Sequence, residues 1–178
     1  PVSQSNRHQL DYSKILSFWE QRSSKYDKGD FSNLSNLEID LKLSLEKHKQ
    51  EREVLMDYLS LEPGHKLLDL GAGHCAWACE FADLVAHIDA VEFSDGMVQL
   101  AKRHIKNNKI KNITIHKCSA QDYVSDSKYD RILLSGLTIY LEDRDFYKLL
   151  HRVRGYLLEG GKIILRDGTG KEGPFIIK

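Results

Sequence analysis

Five short apolar runs, set between longer amphipathic stretches, limit what this chain can fold into more than any other feature. They are Lys66-Leu67-Leu68-Asp69-Leu70, Ile88-Asp89-Ala90-Val91-Glu92-Phe93, Ile113-Thr114-Ile115, Tyr129 to Leu134, and Lys162-Ile163-Ile164-Leu165. Each is short for a buried helix and fits a strand covered on both faces. Between them, Ala76 to Val85 and Met97 to Ile105 read as helices. Asp145 to Leu158 does too, with Phe146, Leu149, Leu150, Val153 and Leu157 along one face. Gly160-Gly161 is expected to close that last helix. Strands alternating with helices predict an α/β fold: a Rossmann-like, doubly wound, mostly parallel sheet with helices on both faces and right-handed crossovers. Ahead of the first strand, Leu10 to Tyr26 reads as an amphipathic helix and Asp30 to Asn36 as a loop. A second helical stripe through Leu37, Leu41, Leu45, Val54, Leu55, Tyr58 and Leu59 ends at Pro63-Gly64. The expected division is an N-terminal helical cap over residues 1–60 and a core over 61–178.

Composition removes several classes of function. Lys+Arg and Asp+Glu number 26 each among the 178 residues, so no global field recruits nucleic acid or acidic lipid. With 41% hydrophobic and 29% charged residues the chain is not disordered. No run approaches the roughly 18 apolar residues of a spanning helix, so no membrane is expected as a partner. Three cysteines make no disulfide framework, and with no apolar signal core at the start they point to the cytoplasm.

Ligands of such sheets bind outside the carboxyl ends of the strands, near the point where strand order reverses. Leu67-Leu68-Asp69-Leu70-Gly71-Ala72-Gly73 runs from the first strand into a turn whose glycines permit a sharp bend and close approach of a ligand to the main chain. The helix that follows, starting near Cys75, offers backbone N–H groups to an anionic group. Nineteen residues beyond Gly73 stands Glu92, where a carboxylate accepts hydrogen bonds from both hydroxyls of a ribose. Turn and acid together indicate a nucleoside-containing ligand. Gly71-x-Gly73-x-x-Ala76 also satisfies a permissive dinucleotide pattern, so a dehydrogenase is the rival. Against it, Asp69 would repel a pyrophosphate but suits an ammonium or a sulfonium.

Leu67 to Gly73 resembles the first motif of the class I S-adenosylmethionine-dependent methyltransferases. Val91-Glu92-Phe93-Ser94-Asp95-Gly96-Met97 is similar to the second strand of that family, and Cys118-Ser119-Ala120-Gln121-Asp122 to the stretch beside the adenine. Tyr129-Asp130-Arg131-Ile132-Leu133-Leu134-Ser135 resembles the fourth strand, and Leu157 to Leu165 the turn into the fifth. The resemblance implies S-adenosylmethionine as cofactor and S-adenosylhomocysteine as product. It implies that Asp69, Gly71 and Gly73, with Ala72 between them, hold the methionine portion and that Glu92 binds the ribose. Phe93 and Met97, with Ser94 between, would pack near the adenine, and Ser119, Ala120 and Gln121 would meet its edge. Ser135 and Leu137 would lie under the methyl donor. Many small-molecule members close an N-terminal helix over the donor, which assigns Trp19 and Tyr26 to shield the sulfonium and Arg22 to its carboxylate. Three departures stand out. Cys75 replaces a frequent third glycine, Ser119 stands where an Asp often receives the adenine amino group, and the family's final antiparallel strands are expected to be incomplete or missing.

Methyl transfer to a small-molecule acceptor through oxygen, nitrogen or carbon is therefore the expected activity, with no catalytic residue assigned. Tyr140, Glu142, Asp143, Arg166 and Asp167 are polar groups near the expected pocket, but they form no recognisable base constellation. Lys102, Arg103, Lys106, Lys109, Lys111 and Lys117, with no acid between Met97 and Gln121, would serve an RNA methyltransferase. Against nucleobase methylation, Ser135-Gly136-Leu137-Thr138 lacks the prolines and aromatic that grip a planar amine. A non-catalytic nucleoside-binding regulatory module is the other alternative. His74, Cys75 and Cys79 do not complete a metal site, and Gly168-Thr169-Gly170-Lys171 lacks the spacing of a phosphate loop.

Overall fold

The computed structural model describes residues 10–25 and 41–167. The sheet is built around β1 (Lys66–Leu70), whose Leu67, Leu68 and Leu70 are all inaccessible to solvent. A strand apolar on both sides must be covered on both sides, and its neighbours follow from that. β2 (His87–Glu92) and β3 (Ile113–Lys117) lie to one side of β1, β4 (Tyr129–Ser135) and β5 (Leu157–Arg166) to the other, in the order β3-β2-β1-β4-β5. All four pairings are parallel, with Leu70 opposite Val91 and Leu134. Strand order reverses between β1 and β4, which places the crevice at the end of β1.

One face of the sheet carries Leu67, Ile88, Ala90 and Leu133. They pack against Leu55 and Leu59 of α2 (Leu41–Leu59), Ala78 and Phe81 of α3 (Ala76–Phe81), and Ala101 of α4 (Asp95–Asn107). On the other face, Leu68, Leu70, Val91, Ile132 and Leu134 meet Tyr123 from the β3–β4 connection and Leu149 and Val153 of α5 (Asp143–Arg154). Two clusters on opposite faces are what alternating side chains along a doubly covered sheet produce. The Arg131 guanidinium, buried beneath the end of α2, donates to the carbonyls of Leu59 and Ser60 and so satisfies carbonyls that a helix C-terminus leaves open.

The expected strands and their order of appearance are present, but the end of α5 needs correction. Gly160-Gly161 does not close this helix; it ends at Arg154, and both glycines lie inside β5. They accommodate an irregularity where the register against β4 shifts between Tyr129 and Arg131. Gly160 has φ +75°, and a Cβ on Gly161 would sit 2.9 Å from the Leu158 carbonyl oxygen. Leu157 therefore belongs to the strand and not to the helix face. Tyr26, the Asp30 to Asn36 loop and the Gly168 to Lys171 turn lie outside the described residues.

α1 (Tyr12–Ser24) begins at Asp11, whose carboxylate accepts from the N–H groups of Ser13 and Lys14. It runs as a strap along the carboxyl edge of the sheet. At its start, the Leu10 N–H donates to Glu142 Oε1 (3.1 Å) and the Tyr12 hydroxyl to Asp145 Oδ2 (3.0 Å), both beside the N-terminus of α5. Further along, Glu20 Oε2 accepts from the Gly96 N–H (3.0 Å) in the first turn of α4, and Trp19 packs on Met97 and Leu100. A Cβ on Gly96 would lie 1.9 Å from Ser23 Oγ and 2.9 Å from Glu20 Oε2, so this glycine is what lets α1 settle on α4.

Gly96→Ala is accordingly expected to lift α1 while leaving the sheet intact. Limited proteolysis should cleave α1 at least several-fold faster, with the main melting transition close to that of the unmodified chain. Adding Ser23→Gly should slow the cleavage again.

Candidate active site

The turn after β1 is held by the end of β2. The N–H groups of Gly71 and Ala72 both donate to the Val91 carbonyl (2.9 and 3.0 Å). Gly71 and Gly73 have φ of +76° and +55°, a region that costs other residues energy. Cys75 adopts the same left-handed conformation at φ +60°, although it carries a side chain. The place where a third glycine is frequent thus keeps the glycine-like geometry. The Cys75 N–H donates back to the Ala72 carbonyl (2.8 Å), so it serves the turn and not a ligand. α3 then lasts six residues before a turn of 3-10 helix at Ala82–Leu84.

Glu92 fastens this turn to the next helix. Its Oε2 accepts from the Gly73 N–H (2.9 Å) and its Oε1 from the Ser94 N–H (2.8 Å). The side chain is 5% exposed, and burial raises its pKa against the opposing pull of those backbone donors. Ser94 in turn caps α4, its Oγ accepting from the Met97 N–H (3.1 Å). Two residues before the turn, Asp69 is 2% exposed, and its Oδ2 has no hydrogen-bond partner. Burial first, and the Glu92 carboxylate second, push the Asp69 pKa up to about 7. An unpartnered buried carboxylate beside a glycine turn fits an ammonium group, which would supply both the missing donor and the missing charge.

The other residues expected at the site fall into four groups. Leu137 is brought to the turn: a Cβ on Gly71 would lie 3.2 Å from its Cδ1, so bulk cannot be added on that side. Ser135 ends β4 beside it. Phe93 is half-buried next to Glu92, and Met97 is buried below Trp19 with Leu100. The stretch after β3 is drawn in by a bond from the Cys118 N–H to the Glu92 carbonyl (3.1 Å). There Ser119 Oγ donates to Asp122 Oδ2 (2.6 Å), Ala120 is buried in the second cluster, and the Gln121 carbonyl accepts from Arg152. Trp19 stands edge-on to Tyr140, with ring centroids 5.9 Å apart. Burial raises the Tyr140 pKa, and Arg22 lies close enough to oppose that rise. Glu20 and Ser23, which seat α1 on α4, went unremarked in the sequence because no local spacing links them to Gly96.

The cysteines and histidines nearby serve packing. Cys75 and Cys79 belong to the apolar layer on α3, and burial holds both thiols protonated, Cys79 up to about 12. His74 is buried and pushed down to about 3, first by burial and then by His104, whose ring stacks on it at 5.8 Å. Among the described residues no group of three or more His, Cys, Asp or Glu side chains converges in a way that could hold a metal. Of the basic residues, Lys102, Arg103, Lys106, Lys109 and Lys111 are exposed on and after α4, and Lys117 pairs with Asp95 (3.1 Å). No helix among the described residues is long and apolar enough to cross a membrane.

Fold and site together define a doubly wound α/β domain with its glycine turn at the topological switch point. A family model described as a methyltransferase domain matches residues 67–161, and this chain belongs to that family. Among its relatives, phosphoethanolamine N-methyltransferase 1 of Triticum aestivum is 27% identical over 154 residues, covering 85% of this chain and 29% of that protein. Demethylmenaquinone methyltransferase of Alkalihalophilus pseudofirmus is 24% identical over 127 residues, 68% of this chain and 52% of that one. The chain thus spans between under a third and about half of the length of these relatives. Solved structures share the fold. The DhpI-SAM-HEP complex superposes with a TM-score of 0.71 at 20% identity, over 94% of this chain and 70% of that one. Phosphoethanolamine N-methyltransferase 1 of Haemonchus contortus, in complex with phosphoethanolamine and S-adenosylhomocysteine, gives 0.75 at 20% identity, over 87% and 32%. The class I methyltransferase membership and fold expected from the ordered motifs are borne out.

Because Asp69 holds its proton more tightly folded than unfolded, its ionisation costs stability as pH rises from about 4 to 7, and the full cost persists above that. Asp69→Asn removes this dependence. Relative to the unmodified chain, the variant should gain roughly 2–4 kcal/mol between pH 4.5 and pH 8 in urea denaturation. A constant difference across that range would contradict the burial argument.

Proposed function

We propose that this chain binds S-adenosylmethionine in the turn after β1 and transfers its methyl group to a small-molecule acceptor. The observation that carries this is the pair of carboxylates at the switch point. Asp69 has a buried oxygen with nothing to accept from, and Glu92 is anchored beside the glycines at the end of β2. Asp69 would hold the amino group of the donor, Glu92 the ribose hydroxyls, and the main chain of Gly71, Ala72 and Gly73 the methionine portion. Phe93 and Met97 would flank the adenine, and the backbone of Ser119, Ala120 and Gln121 would meet its edge. Ser135 and Leu137 would form the floor, with Arg22 on α1 taking the donor carboxylate. When bound, the donor presents a methyl group on a positively charged sulfur, which an acceptor lone pair takes by in-line displacement to leave S-adenosylhomocysteine.

The residues of the chain contribute alignment and dryness more than chemistry. A donor this reactive needs its acceptor placed in line and water kept away, and charge disperses in the transition state, so no electrophilic residue is required. Trp19 on the strap and Leu137 under the turn suit that exclusion of water. That the relatives include methyltransferases named for phosphoethanolamine and for demethylmenaquinone supports a small-molecule acceptor. A cytoplasmic location accords with free thiols at Cys75, Cys79 and Cys118.

Titration calorimetry tests the donor assignment. S-adenosylmethionine and S-adenosylhomocysteine should bind, NAD should not, and Arg22→Ala should weaken the donor at least several-fold. Since the ammonium requires ionised Asp69, affinity should fall about tenfold per pH unit below about pH 7 and level off above it. Saturable NAD binding, or an affinity flat from pH 5.5 to 7.5, would overturn the assignment.

A further inference from the structure

We propose that Asp167, with the aromatic rings of Tyr140 and Trp19, forms the seat for the ammonium group of an amine acceptor. This rests on the donor reading above and adds the chemical class of the substrate.

The argument starts from unpartnered charge. Among the described residues, three buried side-chain oxygens lack a hydrogen bond: Asp69 Oδ2, Glu80 Oε2 and Asp167 Oδ1. Glu80 Oε2 is compensated by the Arg52 guanidinium at 2.9 Å, between α2 and α3. The other two stand at the carboxyl edge of the sheet, where ligands bind in this architecture. One is spoken for by the amino group of the donor. Asp167 is the second, and it follows directly on β5, whose Arg166 is opposite Ser135 and accepts from the Gly136 N–H (2.7 Å). It is therefore one strand beyond the Ser135–Leu137 floor, on the side away from β2.

The surroundings select a cation. Burial raises the Asp167 pKa against the pull of the Thr138 hydroxyl, which donates to Oδ2, and of the Thr138 and Ile139 N–H groups, while Oδ1 has no hydrogen bond. The nearest guanidinium in sequence, Arg166, acts weakly on Asp167 and is itself paired with Glu51 of α2. Tyr140 is half-buried and senses the Asp167 carboxylate, and Trp19 closes against it edge-on at 5.9 Å. A carboxylate beside Tyr140, on which Trp19 packs, is favourable for an ammonium ion, and a neutral hydroxyl would supply no charge opposite the bare oxygen. An anionic group would be repelled. Arg22 also acts on Tyr140, and its charge is taken up by the donor carboxylate in the reading above. Asp167 can take the proton that an amine must lose: one N–H bond breaks, an O–H bond forms at Oδ1, and the nitrogen lone pair is released for attack.

The test uses binding, with Trp77→Phe as background so that Trp19 alone reports. The protein is saturated with S-adenosylhomocysteine, then titrated with ethanolamine hydrochloride, or with ethylene glycol as the neutral counterpart. Ethanolamine should change Trp19 emission saturably and ethylene glycol should not. Asp167→Asn and Tyr140→Leu should each weaken ethanolamine at least tenfold with S-adenosylhomocysteine affinity unchanged, and Tyr140→Phe should restore it. An Asp167→Asn variant that binds ethanolamine normally, an equal response to ethylene glycol, or no saturable response would overturn the amine seat while leaving the donor reading standing. Failure of S-adenosylhomocysteine to bind would overturn the donor reading and this one with it.

Discussion

The contact between Glu92 and the Gly73 N–H organises everything around it. β1 and β2 are neighbours in the sheet, so the turn leaving one and the acid ending the other meet without further support. The carboxylate then bridges two backbone donors, one in the turn and one at the start of α4. That bridge sets where α4 begins, which sets where Gly96 presents its N–H, and so where Glu20 can seat the strap α1. A chain of local hydrogen bonds thereby carries the register of two parallel strands out to the helix that crosses the carboxyl edge.

Asp69 shows the cost of building such a site. A carboxylate buried with an empty oxygen beside a second acid destabilises the folded chain at neutral pH. The surrounding core tolerates it: Leu67, Leu68 and Leu70 on the same strand are sealed on both faces of the sheet. Strain of this kind at a ligand site is a signature of preorganisation, since a ligand that supplies the missing donor recovers what folding lost. Half-buried Asp167, two strands away, also keeps one buried oxygen without a hydrogen bond, which sets it apart from the other polar groups along that edge.

Much of the fold was legible because its strands are short, apolar and bounded by turns, and the chain alternates them with helical spacing. Asp69, Gly71, Gly73 and Glu92 were legible for a different reason: their roles are set by sequence neighbours and by one parallel pairing. Where a residue's role depends on a distant partner, the sequence was silent. Glu20 meets Gly96 across 76 positions, and nothing near either signals the other. Gly160-Gly161 was misread because a glycine pair suits a helix end as well as a strand irregularity, and only the pairing with β4 separates the two. Asp167 was visible as one of several polar side chains, but only burial and the missing partner set it apart.

The central claim is that the glycine turn and its two carboxylates bind the donor directly. A crystal structure of the chain with S-adenosylhomocysteine tests it most closely. The account predicts the product amino group within hydrogen-bond distance of Asp69 Oδ2 and the ribose hydroxyls on Glu92, with α1 packed across the ligand. Product bound elsewhere, or Glu92 still contacting only Gly73 and Ser94 while the sugar lies away from it, would contradict the account.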